Sequence, residues 1–447
     1  MNMALKIGLG FSVIAGCTVA AVPNIYSSKI NEFISDSQKS FEIQGITSDV
    51  QNSNDTYFNV QREYNITIAD SSYILKNIGL DIGSSEFKDI KKILDDTAFS
   101  FSLNLPKYPS SQKDAIVVSL KELSPNVQMA LNKDELGREI INFIENKGIL
   151  LTLSLDNFSL KKAKLKDIDL NLKNNDQNIR QKVENLVVTF DSLKKYKLNV
   201  NEISTKLEDK SFFAGFKMNT LKYDITQKDD FNANEKMLIK NISFSYSENK
   251  NMGTIAGINI KEITSDSNIF TKNEMFGANS NLEIKKIDIR GGKETLELND
   301  FRTKLSINDI KKDLLENILD SIEDGTFMKE NKIDQNVEAL VHNGFIFNLD
   351  KLEVGNSKIS FANNKFELEK ISLNSNFKLN ANNINLATNP NTQWLSSITS
   401  NTNLEMSKND ILSIMSKLKL PNQFLEFVKI ENEKAFINAE FKGNELL

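Results

Sequence analysis

The sequence predicts an α+β chain that is rich in β-structure. It should have long, curved, meandering antiparallel sheets with a few short helices packed on them, in two related halves behind an N-terminal hydrophobic helix. Three observations predict this class. Most of the chain alternates apolar and polar residues, a few segments have helical periodicity, and an eleven-residue pattern occurs twice. A length of 447 residues also exceeds what one ordinary core supports.

The chain begins with an apolar segment, residues 7–22, which follows Lys6 and is stopped by Pro23. A positive charge before a short apolar stretch is typical of a secretory signal. As a helix, this segment would rise roughly 24 Å, somewhat less than a ~30 Å hydrocarbon core. We therefore expect residues 1–26 to be a signal peptide or membrane anchor, and residues 27–40 to form a short amphipathic helix beyond it.

Three fates of the apolar segment remain open. An uncleaved anchor would place Tyr26 at the membrane interface. Residues 14–17 (Ile-Ala-Gly-Cys) fit a lipoprotein signal, with Cys17 as the lipid attachment site, but the chain stays apolar after Cys17, where a lipoprotein usually turns polar. Ordinary cleavage near Ala20 is the third. The expected location is the cell envelope, with an inner-membrane anchor and a periplasmic body preferred and a lipoprotein as the alternative.

Strands are predicted from Phe41 onward by period-two alternation. The clearest segments are Tyr57–Ile68, Leu151–Leu155, Lys166–Leu172, Ile242–Tyr246 and Phe377–Asn380. Asparagine, aspartate, glycine and serine are interpreted as turn residues, as at positions 174–176 and at the hairpin turn Gly291-Gly292.

Helical periodicity interrupts the strands in four places. Asn132 is predicted to cap a helix that runs to about Lys147 before Gly148, and Asn308 a helix that ends at Gly325. A third helix should run to about His342. Ser407 and Asp410 form a predicted capping box for the fourth.

The repeated pattern is Leu155–Leu165, which matches Leu349–Ile359 in register. Each copy follows a helix that ends at a glycine and an apolar strand that leads in. This match predicts two related halves, each a helix followed by a meandering sheet, with a first β-rich half at residues 41–330 and a second at residues 331–447.

Composition excludes several classes of protein. The only cysteine, Cys17, lies in the N-terminal segment, so the body forms no disulfide and offers no cysteine ligand to a metal. The 55 basic and 60 acidic residues are interspersed and give a net charge of -5, so no basic stripe supports a nucleic-acid partner. No cofactor is expected. The abundant lysine and asparagine are interpreted as a compositional habit of the source.

These features resemble the YdgA-like family of bacterial envelope proteins, whose function is uncharacterised. The resemblance rests on the segment Val22–Glu32 with its proline and tyrosine, on a first strand with a Tyr/Arg centre at Tyr57–Tyr64, and on three later stretches. Those stretches are the helix end at residues 340–344, the strand start Leu349–Leu352 and the terminal segment Ala435–Leu447. Ser27-Ser28 stand where the family commonly has glycine. The resemblance spans nearly the whole chain and implies topology, with no established activity.

Residues that could carry catalysis are few. His342 is the only histidine, and its place near a helix end is typical of a structural role. The carboxylate pairs Asp95-Asp96 and Asp229-Asp230, like Asp156 and Asp350 at matching repeat positions, are interpreted as turn or strand-end residues. Trp394 is interpreted as a core aromatic residue on a short helix. We expect no enzyme, no catalytic or cofactor-binding residue and no metal site.

Two functional hypotheses follow. The first is a binding or structural role in the envelope: the protein contacts the membrane through its N-terminal segment and holds a lipid or another envelope component. Alternate Leu, Ile and Phe side chains on one face of a sheet could line an apolar groove for it. The alternative is a carboxylate-based hydrolase of an envelope polymer, which needs two facing carboxylates about 5 to 10 Å apart.

Overall fold

The body of the protein folds into antiparallel β-structure with a few short helices. A computed structural model describes residues 44–55, 59–77, 80, 82–106, 111–133, 135–156, 159–174, 177–229, 231–248, 255–323, 335, 339–340, 342–361, 364–379, 398–418, 421–442 and 445–446. The apolar segment with Cys17, the predicted helix 27–40 and Trp394 lie outside these residues. The predicted β-rich class with short helices is confirmed.

The chain divides into two compact units, residues 1–207 and 208–447. This boundary differs from the predicted one at residues 330/331. Asn308 and its neighbours pair with Ile346 and its neighbours, so the residues on either side of 330/331 share one sheet and one unit, while the boundary at 207/208 falls within the strand Lys195–Asp209. Pairing between these distant strands cannot be read from the local sequence pattern on either side of the loop.

In the first unit a meander of antiparallel strands runs β1–β2–β3–β4–β5–β6–β9–β10, and β7 pairs with β8. The strands are β1 (Ile46–Asp55), β2 (Asn59–Ile68), β3 (Ala98–Pro106), β4 (Ser111–Glu122), β5 (Leu150–Asp156), β6 (Ser159–Leu165), β7 (Ile168–Lys173), β8 (Gln177–Glu184), β9 (Val187–Ser192) and β10 (Lys195–Asp209). The helices are α1 (Ser72–Asn77), α2 (Ser85–Leu94), α3 (Pro125–Leu131) and α4 (Glu135–Glu145).

The core of this unit lies between the meander and its helices. Alternate residues of β2, β3, β4 and β5 are buried there, as the period-two pattern predicts, and α4 contributes Ile144. Leu103, Ile116 and Leu153 are at most 2% exposed. Burial on this scale makes the first unit a conventional two-layer domain.

The second unit is one antiparallel sheet in the order β11–β12–β13–β14–β15–β16–β19–β20–β22, extended by β17 beside β15, β18 beside β17, and β21 and β23 beside β22. Its strands are β11 (Phe213–Asp229), β12 (Asn232–Ser247), β13 (Ala256–Lys272), β14 (Met275–Gly291), β15 (Glu294–Lys311), β16 (Phe345–Val354), β17 (Ser357–Phe361), β18 (Asn364–Leu368), β19 (Ile371–Leu379), β20 (Ile398–Ser407), β21 (Lys429–Glu431), β22 (Lys434–Lys442) and β23 (Glu445–Leu446). Its helices are α5 (Lys312–Glu323), α6 (Lys408–Leu418) and a 3₁₀ turn (Asn422–Phe427).

The helix predictions met different outcomes. The helix before Gly148 is confirmed as α4, but Asn132 ends α3 instead of capping α4. The cap of α6 is confirmed, since the Asp410 N–H donates to Ser407 Oγ at 3.1 Å. The helix expected between Asn308 and Gly325 is confirmed as α5, which begins at Lys312, but the expected cap at Asn308 is wrong. Strand β15 continues to Lys311 because Asn308 pairs with β16, and sheet pairing overrides a local helical pattern.

The two copies of the repeated pattern adopt different structures. Leu155–Leu165 spans β5 and β6, which pair with each other as a hairpin. Leu349–Ile359 spans β16 and β17, which lie end to end and pair with the same strand, β15. The matched residues are therefore not structurally equivalent, and the prediction of two related halves stays a prediction.

Candidate functional site

An apolar strip crosses five strands near one end of the second unit's sheet. One row is formed by Phe216, Phe244, Ile258, Ile289 and Leu296, each opposite the next in the strand register. A second row, two residues along each strand, is formed by Met218, Ile242, Ile260, Ile287 and Leu298. Residues two apart in a strand share a face, so the two rows form one surface.

The strip is open to solvent. In its first row the exposed fraction is 39% for Phe216, 43% for Phe244, 39% for Ile258 and 37% for Ile289. Large apolar residues scattered singly on a surface are common, whereas these four lie side by side on adjacent strands and form one contiguous exposed patch.

The alternate residues of the same strands are polar. They include Ser243 opposite Asn259, and Asp288 opposite Glu297. Lys286 Nζ lies 3.2 Å from both Asp288 and Glu297, which raises the pKa of Lys286 and lowers that of Glu297. One face of these strands is therefore apolar and the other is polar.

The strip ends at a line of irregular backbone. Thr220, Glu262 and Asp300 have φ values of 53°, 50° and 50°, in the left-handed region, and lie on every second strand along this line. The apolar positions are even-numbered in β11 before this line and odd-numbered after it, at Leu221 and Tyr223. The pairing register does not slip there, since Asn219 and Leu221 stay opposite Asn241 and Ile239, so a positive φ at Thr220 and not an inserted residue accompanies the change of phase.

A second feature of the same unit is a polar concavity of about 730 Å³. Its lining is almost entirely amide and carboxylate groups from β16, β19, β20 and β22: Asn348, Asp350, Asn374, Asn376, Asn401, Asn403, Asn438 and Glu440, with Leu349 and Ser375 between them. We call this feature the asparagine concavity.

Hydrogen bonds and packing hold the concavity in place. Asn376 donates a side-chain hydrogen bond to Asn348, and Asn348 donates to Ser306 Oγ at 3.0 Å. On these strands the intervening residues Leu404 and Ile437 pack on the buried Met415 and Ile411 of α6. The concavity therefore occupies one face of a sheet whose other face is covered by a helix.

The two carboxylates that line the concavity bear on the alternative hypothesis of a hydrolase. Asp350 lies on β16 and Glu440 on β22, three strand spacings apart. At about 4.8 Å per spacing the two backbones are roughly 14 Å apart. Such enzymes need two carboxyl groups about 5 to 10 Å apart, so Asp350 and Glu440 would have to lean towards each other across the intervening strands to reach that separation.

The predicted candidate residues are dispersed. His342 is exposed, on helical residues directly before Gly344. Asp95 accepts hydrogen bonds from the Ser71 N–H and hydroxyl at 2.8 and 2.7 Å, a structural role at the end of α2. Asp229 binds the Phe231 N–H at 3.0 Å and the Asn232 amide at 2.8 Å, which lower its pKa, and Asp230 lies outside the described residues. Asp156 accepts from Ser111 Oγ at 2.6 Å.

Among the described residues, no three His, Cys, Asp or Glu side chains are grouped so that they could bind a metal ion. No helix within those ranges has the length and apolar character needed to cross a membrane. Cys17, the possible lipid attachment site, lies outside them.

Comparison with known proteins gives no match to a family model, to a curated protein or to a solved structure.

Proposed function

We propose that this chain is a non-catalytic envelope protein of the YdgA-like type that binds the acyl chain of a lipid on the apolar strip. Residues 1–26 would attach it to the membrane and the body would lie outside the cytoplasm. The observation that carries the proposal is the strip itself, two adjacent rows of Phe, Ile, Met and Leu with a solvent-exposed outer row.

The dimensions of the strip favour an acyl chain. Five strands spaced about 4.8 Å apart give a length of roughly 19 Å, and two residues along a strand give a width of about 7 Å. A long, narrow apolar surface of this kind matches one extended hydrocarbon chain. Contact with a second copy of the protein would need about 800 Å² on each partner, several times this area.

Photocrosslinking in the intact cell tests this directly. The photoreactive residue benzoylphenylalanine replaces Phe244 or Ile258 in the full chain, and after irradiation the mass of the purified protein is measured. We expect an added mass equal to that of a lipid, because an acyl chain in contact with the strip would be captured there. Benzoylphenylalanine in place of Ser243 or Asn259 is the matched control, on the same strands but at the alternate positions.

Two results would contradict the proposal. One is a lipid adduct of equal yield at the strip and at the control positions, which would indicate general exposure to membrane. The other is a crosslink at Phe244 only to a second copy of the chain or to another protein, which would assign the strip to a protein interface.

A further inference from the structure

A row of polar side chains, six asparagines among nine residues, crosses the sheet of the second unit from β11 to β22. Each member is opposite the next in the strand register, from β11 to β22. The row is Thr226, Asn234, Asn268, Asn279, Ser306, Asn348, Asn376, Asn401 and Glu440. Beside its last strands runs a second row, Asn374, Asn403 and Asn438. The asparagine concavity forms where the two rows lie side by side.

An asparagine side chain offers two donor hydrogens and an acceptor oxygen. Hydroxyl groups also donate and accept, so an array of amides is complementary to a surface of hydroxyls. The side-chain oxygen of Asn403 is shielded from solvent and accepts no hydrogen bond from any described group, so the side chain must turn towards the concavity to meet a donor there. Such an acceptor is costly unless a ligand or water supplies the donor.

The spacing of the array, which is that of any β-sheet, fits an extended chain of repeating polar units. Adjacent strands are about 4.8 Å apart, and the same distance separates successive amides of a row. This is close to the length of one sugar residue in an extended β-1,4-linked chain. Successive sugars lying across the strands would therefore place their hydroxyls against successive asparagines.

We propose that the asparagine concavity binds a neutral, extended, β-1,4-linked saccharide that lies across strands β16, β19, β20 and β22. Asn376 and Asn401 contact it at the centre, Asn403 accepts a hydroxyl hydrogen, and the carboxylates of Asp350 and Glu440 accept from hydroxyls at the two ends. An anionic polymer is disfavoured, because the charged residues that line the concavity are both acidic.

The helix behind the concavity supports the proposal. Met415 and Ile411 of α6 are 7% and 8% exposed and pack under the strands that carry the asparagines. A rigid array loses little conformational freedom when it binds a ligand. This matters for a polar ligand, because its hydrogen bonds and small apolar area leave little free energy to offset the ordering of side chains.

The test uses the full chain, purified in a detergent without a sugar headgroup, and calorimetric titration with three hexasaccharides. These are the β-1,4-linked hexamers of N-acetylglucosamine and of glucose, and maltohexaose, whose α-1,4 linkage gives a curved chain. We expect saturable binding of at least one β-linked hexamer and at least tenfold weaker binding of maltohexaose.

The variants locate the site. Asn376→Ala combined with Asn401→Ala should weaken binding at least tenfold, and Asn438→Ala at the margin severalfold. Asn234→Ala is the control, since Asn234 is an exposed member of the same row outside the concavity and should leave binding unchanged. Circular dichroism of each variant establishes that it is folded. If the double variant is unfolded, Asn438→Ala alone tests the site.

The proposal would be overturned by the absence of saturable binding of both β-linked hexamers to the folded protein. Equal affinity for maltohexaose, or an equal loss in Asn234→Ala, would also overturn it. These results are independent of the apolar strip, because the concavity uses other strands and polar contacts.

Discussion

At the scale of single residues, the described part of the first unit has a small ionic network that joins α1 to α2. Lys91 Nζ lies 2.9 Å from Asp95 Oδ2 and also contacts Asp70 Oδ1. The hydrogen bond from Lys91, together with that from the Ser72 N–H, holds the pKa of Asp70 well below its usual range. Burial alone would lower the pKa of Lys91, but its hydrogen bonds to Asp70 and Asp95 outweigh burial and raise it.

This network predicts acid sensitivity. A carboxyl whose pKa is lower in the folded than in the unfolded state stabilises the fold above the unfolded pKa, about 4 for aspartate, and this contribution is lost as pH falls below it. We expect the free energy of unfolding of the wild type to fall more steeply between pH 5 and pH 2.5 than that of Asp70→Asn, measured by urea denaturation. The exposed Asp320→Asn is the control and should follow the wild type. Parallel curves for the wild type and Asp70→Asn would show that the network contributes nothing.

At the scale of elements, local chemistry predicted α4 and α6 because their signals are complete within a few residues. The glycine after α4 shows why: a Cβ on Gly148 would lie 2.5 Å from the Phe143 ring, so the chain turns there only with glycine. Helices α1 to α3 were not predicted, since six to ten residues carry little periodicity. Asn308 was assigned to a helix because its pairing with β16 depends on residues about 40 positions away.

Helix α6 supports the concavity by packing, which gives a prediction at this scale. Met415 is 7% exposed and belongs to a small core with Met406, Ile411 and Ala435. Met415→Ala should lower the free energy of unfolding by about 2 to 5 kcal/mol, through lost burial and the cavity left behind. Leu412→Ala, on the same helix at 40% exposure, should change it by less than about 1 kcal/mol. Equal effects of the two substitutions in thermal or urea denaturation would contradict the assigned orientation of α6.

At the scale of the whole molecule, the β-rich class followed from the alternation pattern, whereas the two candidate surfaces did not. The apolar strip and the asparagine rows exist only after the strands are placed in register, and register depends on pairing between distant segments. Asparagine is common in turns, so the sequence pattern alone assigns it to turns and not to strands. In β19 and β20, Asn374 and Asn376 lie within a strand and opposite Asn403 and Asn401.

The proposal that the protein belongs to the cell envelope, with its body outside the cytoplasm, underlies both candidate functions. Fractionation of cells that express the native chain, combined with mass determination of its N-terminus, tests it. We expect a membrane-associated product with an intact Met1, and an acylated Cys17 would instead establish the lipoprotein form. A soluble, cytoplasmic, full-length product would contradict the claim.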